Sequence, residues 1–360
     1  MNAFFIIVEL NLLDMLIGKK IGVLVILGMF WMSCQNSYHG LRKAADKKGL
    51  NFGFAVHTSF FNMSADDPYV KILKENANTL VAENIMKPVY IQPERGVFHF
   101  ELADQLINFA EANDMKVRGH CLVWHQQIPY WMNDTTLSRQ ELLQIMKDHI
   151  TTVVSRYKGR IKEWDVVNEA IDVEEEDNFR KSVWYRVIGP DYIDSAFVYA
   201  HRSDPDAILY YNDYDAEGMN EKSDAVYELA SKLVKNNIPI HAIGLQSHFT
   251  VDQIDLDEIK QNIKRIGDLG LMANITELDI GIPSNDFGPQ ALEKQAHYYG
   301  ALMQMILESE NSNSFIVWGE HDGLSWIPGF TEGKKVAPLI FDSALNPKPA
   351  YYRLLEVLND

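Results

Sequence analysis

Eight short apolar runs, rich in β-branched and aromatic residues, alternate with amphipathic segments between residues 40 and 358, and polar or ionisable residues follow nearly every run. These two observations predict an α/β chain folded as a (β/α)8 barrel, the TIM-barrel architecture, in a single domain. A third weighs against the rival, an open doubly wound sheet. The first run reads Phe52-Gly53-Phe54-Ala55-Val56-His57, without the glycine fingerprint that cradles a phosphate.

Taken in order, the chain begins with a segment set apart from the barrel. Lys19-Lys20 precede the apolar run Ile21 to Met32, followed by Ser33-Cys34 and the polar Gln35-Asn36-Ser37. A basic start, a core of this length and a small residue before a cleavage point describe a secretory signal. The run is too short for a confident transmembrane span. Cys34 directly after Ser33 resembles a bacterial lipoprotein cleavage site, with bulky Trp31 as the departure. Lipidation at Cys34 is therefore expected, with plain secretion and then a retained signal anchor as alternatives. The expected destination is outside the cytoplasm, as a secreted, periplasmic or outer-membrane lipoprotein. Met15 directly precedes a conventional signal start, so residues 1–14 are expected to be a start-site artefact. Residues 1–34 are thus assigned to start and signal, and 35–358 to the barrel.

A charged helix is expected over Gly40 to Lys48. The expected strands are Phe52–Val56, Thr79–Asn84, Val117–Trp124, Trp164–Asn168, Ile208–Asn212, Ala242–Ser247, Ile275–Ile280 and Phe315–Trp318. Helical periodicity falls between them, over Leu102–Asn113, Leu137–Tyr157, Ser223–Asn236, Ile254–Leu269 and Gln290–Ser309. No linker, low-complexity tract or fixed-period repeat interrupts the pattern.

Composition narrows the function. The 360 residues are 47% hydrophobic and 23% charged, with a formal net charge of −17. An acidic chain offers no electrostatic footprint for nucleic acid and disfavours anionic membranes, leaving a lipid anchor as the one expected membrane contact. The two cysteines, Cys34 and Cys121, support neither a disulfide framework nor a cysteine zinc site. His120 and His125 lack helical ligand spacing, and no metal or cofactor is expected. A monomer is expected.

In a barrel of this kind the working residues sit at the C-terminal ends of the strands. Those ends read His57; Glu83, Asn84 and Lys87; His120, Trp124 and His125; Asn168 and Glu169; Asn212 and Asp213; Gln246 and His248; Glu277 and Asp279; then Trp318, Asp322 and Trp326. A carboxylate at a buried strand end is costly to desolvate. Glu169 alone could be a paired core acid. Glu277, at the end of a second apolar run, makes a pair. Two acids on one rim, with tryptophans for stacking on sugar rings and amides for hydroxyls, point to glycoside hydrolysis.

The motifs carry a resemblance. WDVVNEA (164–170) and ITELDI (275–280) resemble the acid/base and nucleophile signatures of glycoside hydrolase family 10, the xylanase family. AENIMK (82–87), VRGHCLVWH (117–125), YYNDYD (210–215), IGLQSHF (243–249) and VWGEHDGLSW (317–326) agree in family order. The resemblance implies a (β/α)8 barrel and a retaining endo-1,4-β-xylanase acting on xylan and xylo-oligosaccharides. It implies Glu169 as general acid/base and Glu277 as nucleophile, held in a hydrogen-bonded group with His248 and Asp279. Asn168 would bond the sugar 2-OH, with Gln246 a nearby amide. Glu83, Asn84 and Lys87 would bind sugar on the non-reducing side, His120, Trp124 and His125 would line the adjacent floor, and Trp318 and Trp326 would form an aromatic wall.

Three stretches depart from the pattern. Pro88 stands where a tryptophan is common, Cys121 where threonine is common, and Glu320-His321-Asp322 is less typical. The alternatives are a retaining glycosidase of β-1,4-glucan, which would use the same acids with different subsites, and an inactive carbohydrate-binding barrel.

Overall fold

Parallel strands covered on both faces need near-continuous apolar runs, and each of the eight expected runs supplies one strand. The computed structural model describes residues 40–283, 287–330 and 336–360. The strands are β1 (Asn51–Val56), β2 (Thr79–Ala82), β3 (Lys116–Gly119), β4 (Glu163–Asn168), β5 (Ile208–Asp213), β6 (Ala242–Leu245), β7 (His248–Thr250), β8 (Met272–Gly281) and β9 (Ser314–Val317). They run in the order β6-β5-β4-β3-β2-β1-β9-β8, and β6 pairs with β8 to close the circle. All pairings between these strands are parallel. This is a (β/α)8 barrel. The three-residue β7 lies outside it and pairs with the end of β8; this extends β8 to Gly281, while pairing with β6 extends it back to Met272, beyond the expected Ile275–Ile280 at both ends.

The main helices are α1 (Leu41–Lys48), α2 (Pro68–Asn76), α3 (Glu101–Ala112), α4 (Arg139–Arg156), α5 (Tyr192–Ser203), α6 (Glu221–Lys235), α7 (Leu256–Asp268), α8 (Pro289–Glu308) and α9 (Pro349–Asn359). Local chemistry fixes several starts. Asp67, Ser138, Asn220 and Asp255 each accept backbone N–H bonds from the first turn of α2, α4, α6 and α7, which satisfies donors a helix start leaves open. The segment that carries Lys19 to Cys34 lies outside the described residues.

The apolar core sits between barrel and helices, with Phe52, Leu80, Trp164, Val166, Leu209, Ile243, Ile275 and Phe315 all buried in it. Part of the barrel interior is polar instead. Arg118 is 1% exposed and pairs with Asp165 and Glu163; Glu163 also bonds Asn51 and Tyr210. The guanidinium lies 3.8 Å from the Tyr210 ring centroid. Burial opposes the Asp165 charge, but Arg118 outweighs it and holds the carboxyl below its usual range. This ionic layer lies in sequence directly before the strand ends that carry the acids.

Third and sixth strands end earlier than expected. β3 stops at Gly119, where the Trp164 ring packs so close that a Cβ would lie 2.2 Å from it. Beyond it the chain meets β4 again through Leu122 N to Asp165 O and Val123 N to Val166 O, each at 3.0 Å, and a bridge between Val123 and Val167. β6 stops at Leu245 because Ser247 turns into the left-handed region, with φ 66°.

Candidate active site

The strand ends open onto a cleft of about 430 Å³. Glu83, Asn84, Lys87, His120, Trp124, His125, Asn168, Glu169, Gln246, His248, Glu277, Trp318 and Trp326 all line it. Asp279 does not. It stands behind His248, buried, and acts on the cleft through that ring.

Glu169 follows β4 with φ 56°, a conformation non-glycine residues seldom take and one that tends to mark functional sites. Its Oε2 accepts from Trp124 Nε1 at 2.8 Å, and its Oε1 from Gln246 Nε2 at 3.0 Å and Asn168 Nδ2 at 3.1 Å. His125 Nδ1 lies 3.8 Å from Oε2. Burial, reinforced by the Arg180 charge, pushes the His125 imidazole down to about 4, so it is neutral at pH 7.

Glu277 lies within β8, two residues before Asp279 on the same face. Its Oε1 accepts from Asn212 Nδ2 at 2.7 Å, with His120 Nδ1 at 3.8 Å; His248 Nε2 lies 3.4 Å from Oε2. His248 Nδ1 is 3.0 Å from Asp279 Oδ2, which also accepts from Trp326 Nε1 at 2.8 Å. Burial opposes a charge on His248, but Asp279 and Glu277 outweigh it and hold the imidazole well above its ordinary range. The His248 ring thus bridges Glu277 and Asp279. His120 reaches back to Asp165 at 2.9 Å and so joins the rim to the ionic layer below.

One amide couples the two acids. Asn212, wholly buried, donates to Glu277 and also to Asn168 Oδ1 at 2.8 Å, and its own oxygen accepts from Thr276 Oγ1 at 2.6 Å. Asn168 in turn contacts Glu169. Gly244 makes this possible, because a Cβ there would lie 2.1 Å from Asn212 Oδ1.

At the other end of the cleft Lys87 donates to Asn84 Oδ1 at 3.3 Å and lies 4.7 Å from the Trp124 ring centroid. Burial raises the Glu83 carboxyl, offset in part by His57 and Lys87. Two carboxyl groups held by amides in a cleft lined by Trp124, Trp318 and Trp326 are an arrangement that can perform a displacement at an acetal carbon.

The sequence profile described as Glycosyl hydrolase family 10 matches residues 40–357. The chain belongs to glycosyl hydrolase family 10. Among its relatives, Endo-1,4-beta-xylanase B of Thermotoga neapolitana is 42% identical over 320 residues, 89% of this chain and 92% of that protein. Endo-1,4-beta-xylanase A of Thermoanaerobacterium saccharolyticum is 39% identical over 317 residues, 84% of this chain but 26% of that larger protein. Xylanase 10B from Thermotoga petrophila RKU-1, solved in complex with xylobiose, matches with a TM-score of 0.85 and 41% identity, covering 89% of this chain and 97% of that one.

Not every residue at the rim serves the family 10 cleft. His57 caps the short turn Thr58–Asn62. Asp213 turns away from the cleft to pair with Lys222 at 3.0 Å. Asp322 pairs with Lys348 at 3.0 Å and accepts from Leu339 N, which ties the last loop to the barrel. Trp131 is part-buried against the core and donates to Gln92 O at 3.2 Å.

The cleft also contains Gln126, Gln127, Arg180, Tyr214 and Asp215, which motif reading did not select. Tyr214 and Asp215 lie within the quoted YYNDYD, and Gln126 and Gln127 directly follow VRGHCLVWH, so their signal was adjacency. Arg180 lies in a loop without a motif. At the atypical Glu320 the carboxyl is fully buried, and the Tyr69 hydroxyl is the main group that favours its charged form. Burial pushes it up to about 8, so it is neutral at pH 7.

Proposed function

We propose that the chain is a retaining endo-1,4-β-xylanase that cuts internal β-1,4-xylosidic bonds of xylan by double displacement. The observation that carries this reading is the pairing of Glu169 and Glu277 across a shared amide set, Asn168, Asn212 and Gln246, within one aromatic-lined cleft. Membership of family 10 and the endo-xylanase relatives support it.

In the first step Glu169 gives its proton to the leaving glycosidic oxygen while Glu277 attacks the anomeric carbon. The bond to the aglycone breaks and an ester to Glu277 forms. In the second step Glu169 takes a proton from water, the water oxygen attacks the same carbon, and the ester breaks. Two inversions leave the anomeric configuration as it began. Asn168 is placed to bond the 2-OH of the sugar at the cleavage point, where such bonds strengthen in the transition state. His248 and Asp279 fix the face of Glu277, and Trp318 and Trp326 wall the cleft. Lys87 and Trp326 crowd the space a C6 hydroxymethyl would need, which favours xylan over glucan.

Product analysis on xylan tests the reading. Wild type should release xylo-oligosaccharides whose first-formed reducing end is the β-anomer, and Glu277→Ala should be inactive. Persistent activity in that variant sinks the nucleophile assignment. Equal turnover of xylo- and cello-oligosaccharides would defeat the role given to Lys87 and Trp326. Export, tethering through lipidated Cys34 and a monomeric state belong to the same proposal. Mass analysis of the mature N-terminus and sizing in solution test them.

A further inference from the structure

A second hydrogen-bonded group supports Glu169 from the side away from substrate. Residues in a strand alternate between faces. On β5, Tyr210 and Asn212 join the barrel interior and the amide set, whereas Tyr211 and Asp213 lie on the opposite face. The Tyr211 hydroxyl accepts the backbone N–H of both Ala170 and Ile171, each at 3.0 Å. These are the two peptide units that follow Glu169. The same hydroxyl donates to Asp213 Oδ2 in a short contact.

Asp213 is wholly buried, and its Oδ1 meets Lys222 Nζ at 3.0 Å and accepts from Tyr214 N at 3.0 Å. Burial and the nearby Asp213 charge push the Tyr211 phenol well above its usual range, which keeps the hydroxyl proton in place. Its two lone pairs are then committed to the two amides and its proton to Asp213, so its valence is fully used.

The left-handed turn at Glu169 needs such a constraint. A non-glycine residue persists in that region only where its surroundings over-determine it. Glu169 N is held by Asn212 O at 2.9 Å, and Glu169 O by Arg180 Nε at 2.9 Å. Tyr211 holds the next two amides. With the peptide units on both sides fixed, the Cα–Cβ bond of Glu169 is held toward the cleft that its carboxyl lines.

We propose that Tyr211, backed by Asp213 and Lys222, is a positioning residue for the Glu169 acid/base, locking the backbone turn that points this carboxyl at the leaving oxygen. The inference rests on the acid/base reading of Glu169. It touches no substrate atom and acts only on the step that needs a well-placed proton.

Tyr211→Phe keeps the ring and removes the hydroxyl. A misplaced acid slows departure of a poor leaving group far more than of a good one, since the latter needs little proton transfer. The expected result is a fall of about 10- to 100-fold in kcat/KM on xylotetraose, with a loss of under about threefold on 2,4-dinitrophenyl β-xylobioside. Added azide should raise kcat on the aryl substrate and yield the β-xylobiosyl azide, because azide needs no general base. Equal losses on both substrates, or a fall in Tm with unchanged kinetics, would overturn the proposal.

If Tyr211→Phe does not fold, Asp213→Asn decides the matter. It keeps the shape and removes the charge that orients the hydroxyl, and the same split between substrates is expected at smaller size. A folded Asp213→Asn with the wild-type ratio of the two kcat/KM values overturns the proposal as well. A wild-type protein inactive on both substrates would instead remove the glycosidase reading itself.

Discussion

Adding one methyl group at Gly244 should disable the site without touching substrate. A Cβ at this position would lie 2.1 Å from Asn212 Oδ1, and 3.0 Å from both Asn212 Cγ and Thr276 Cγ2. Non-bonded heavy atoms rest at roughly 3.5 Å, so the amide must retreat by more than about 1 Å. Asn212 Nδ2 now reaches Glu277 at 2.7 Å and Asn168 at 2.8 Å. Such bonds are gone by about 3.6 Å, so at least one is lost. Overpacking of this kind costs about 1–3 kcal/mol of stability, and a displacement near 1 Å at reacting groups costs about 100-fold in rate. Thermal unfolding and initial rates on a xylo-oligosaccharide measure the two effects separately. Because the contact runs through Asn212, Gly244→Ala should be no worse in an Asn212→Ala background than Asn212→Ala alone. A Gly244→Ala protein with kcat within about twofold of wild type, or a double variant losing the product of the single losses, would refute the reasoning.

The ionic layer, His248 and Glu320 make further tests. Arg118→Leu leaves buried carboxylates uncompensated and should cost about 3–5 kcal/mol; since Arg118 depresses Asp165, the gap to wild type should be full above about pH 4 and close as pH falls through the folded Asp165 value, as read by Tm. Asp279→Asn removes the main charge sustaining His248. That stabilisation is complete below about pH 6.5 and lost as pH rises through the raised folded value, so the Tm deficit of the variant should be largest in mild acid and shrink in alkali. For Glu320, burial keeps on the folded chain a proton that the unfolded chain releases above about pH 4.3. Wild-type stability is therefore expected to decline from there to about pH 8. Glu320→Gln should lessen that slope, to which buried Glu217 and Asp213 also contribute, and melt higher at pH 7; an unchanged slope would refute the buried-proton account. Glu169→Ala should keep turnover of aryl substrates with very good leaving groups while losing xylan hydrolysis, in reducing-sugar and chromogenic assays run side by side.

Much of the barrel was legible because its strands are buried on both faces. Apolar runs such as Ile208–Asn212 and Phe315–Trp318 have no helical period to confuse them, and the structure places strands there. Helices α2, α5 and α9 were not anticipated; α2 and α9 begin at prolines, which read as breaks unless the first helical turn is recognised. The cleft residues were legible where motif and strand end coincide. Facing was not: Asp213 ends β5 and Asp322 follows β9 by a few residues, yet both turn to lysines. Arg180 reaches the cleft from a loop, and the role of Gly244 depends on a side chain of the neighbouring strand, so neither has a local signature.

Strand β5 works as a caliper. Its inward residue Asn212 touches Glu277, and its outward residue Tyr211 grips the peptide units that follow Glu169. The span between the carboxyls is what separates retention from inversion in this chemistry, with about 5 Å needed for the former. A shift of β5 by one residue would exchange the two faces and lose both grips at once. Stereochemical outcome is therefore tied to the hydrogen-bond register of a single strand, and loops at the rim can vary in length and sequence while that gauge is kept.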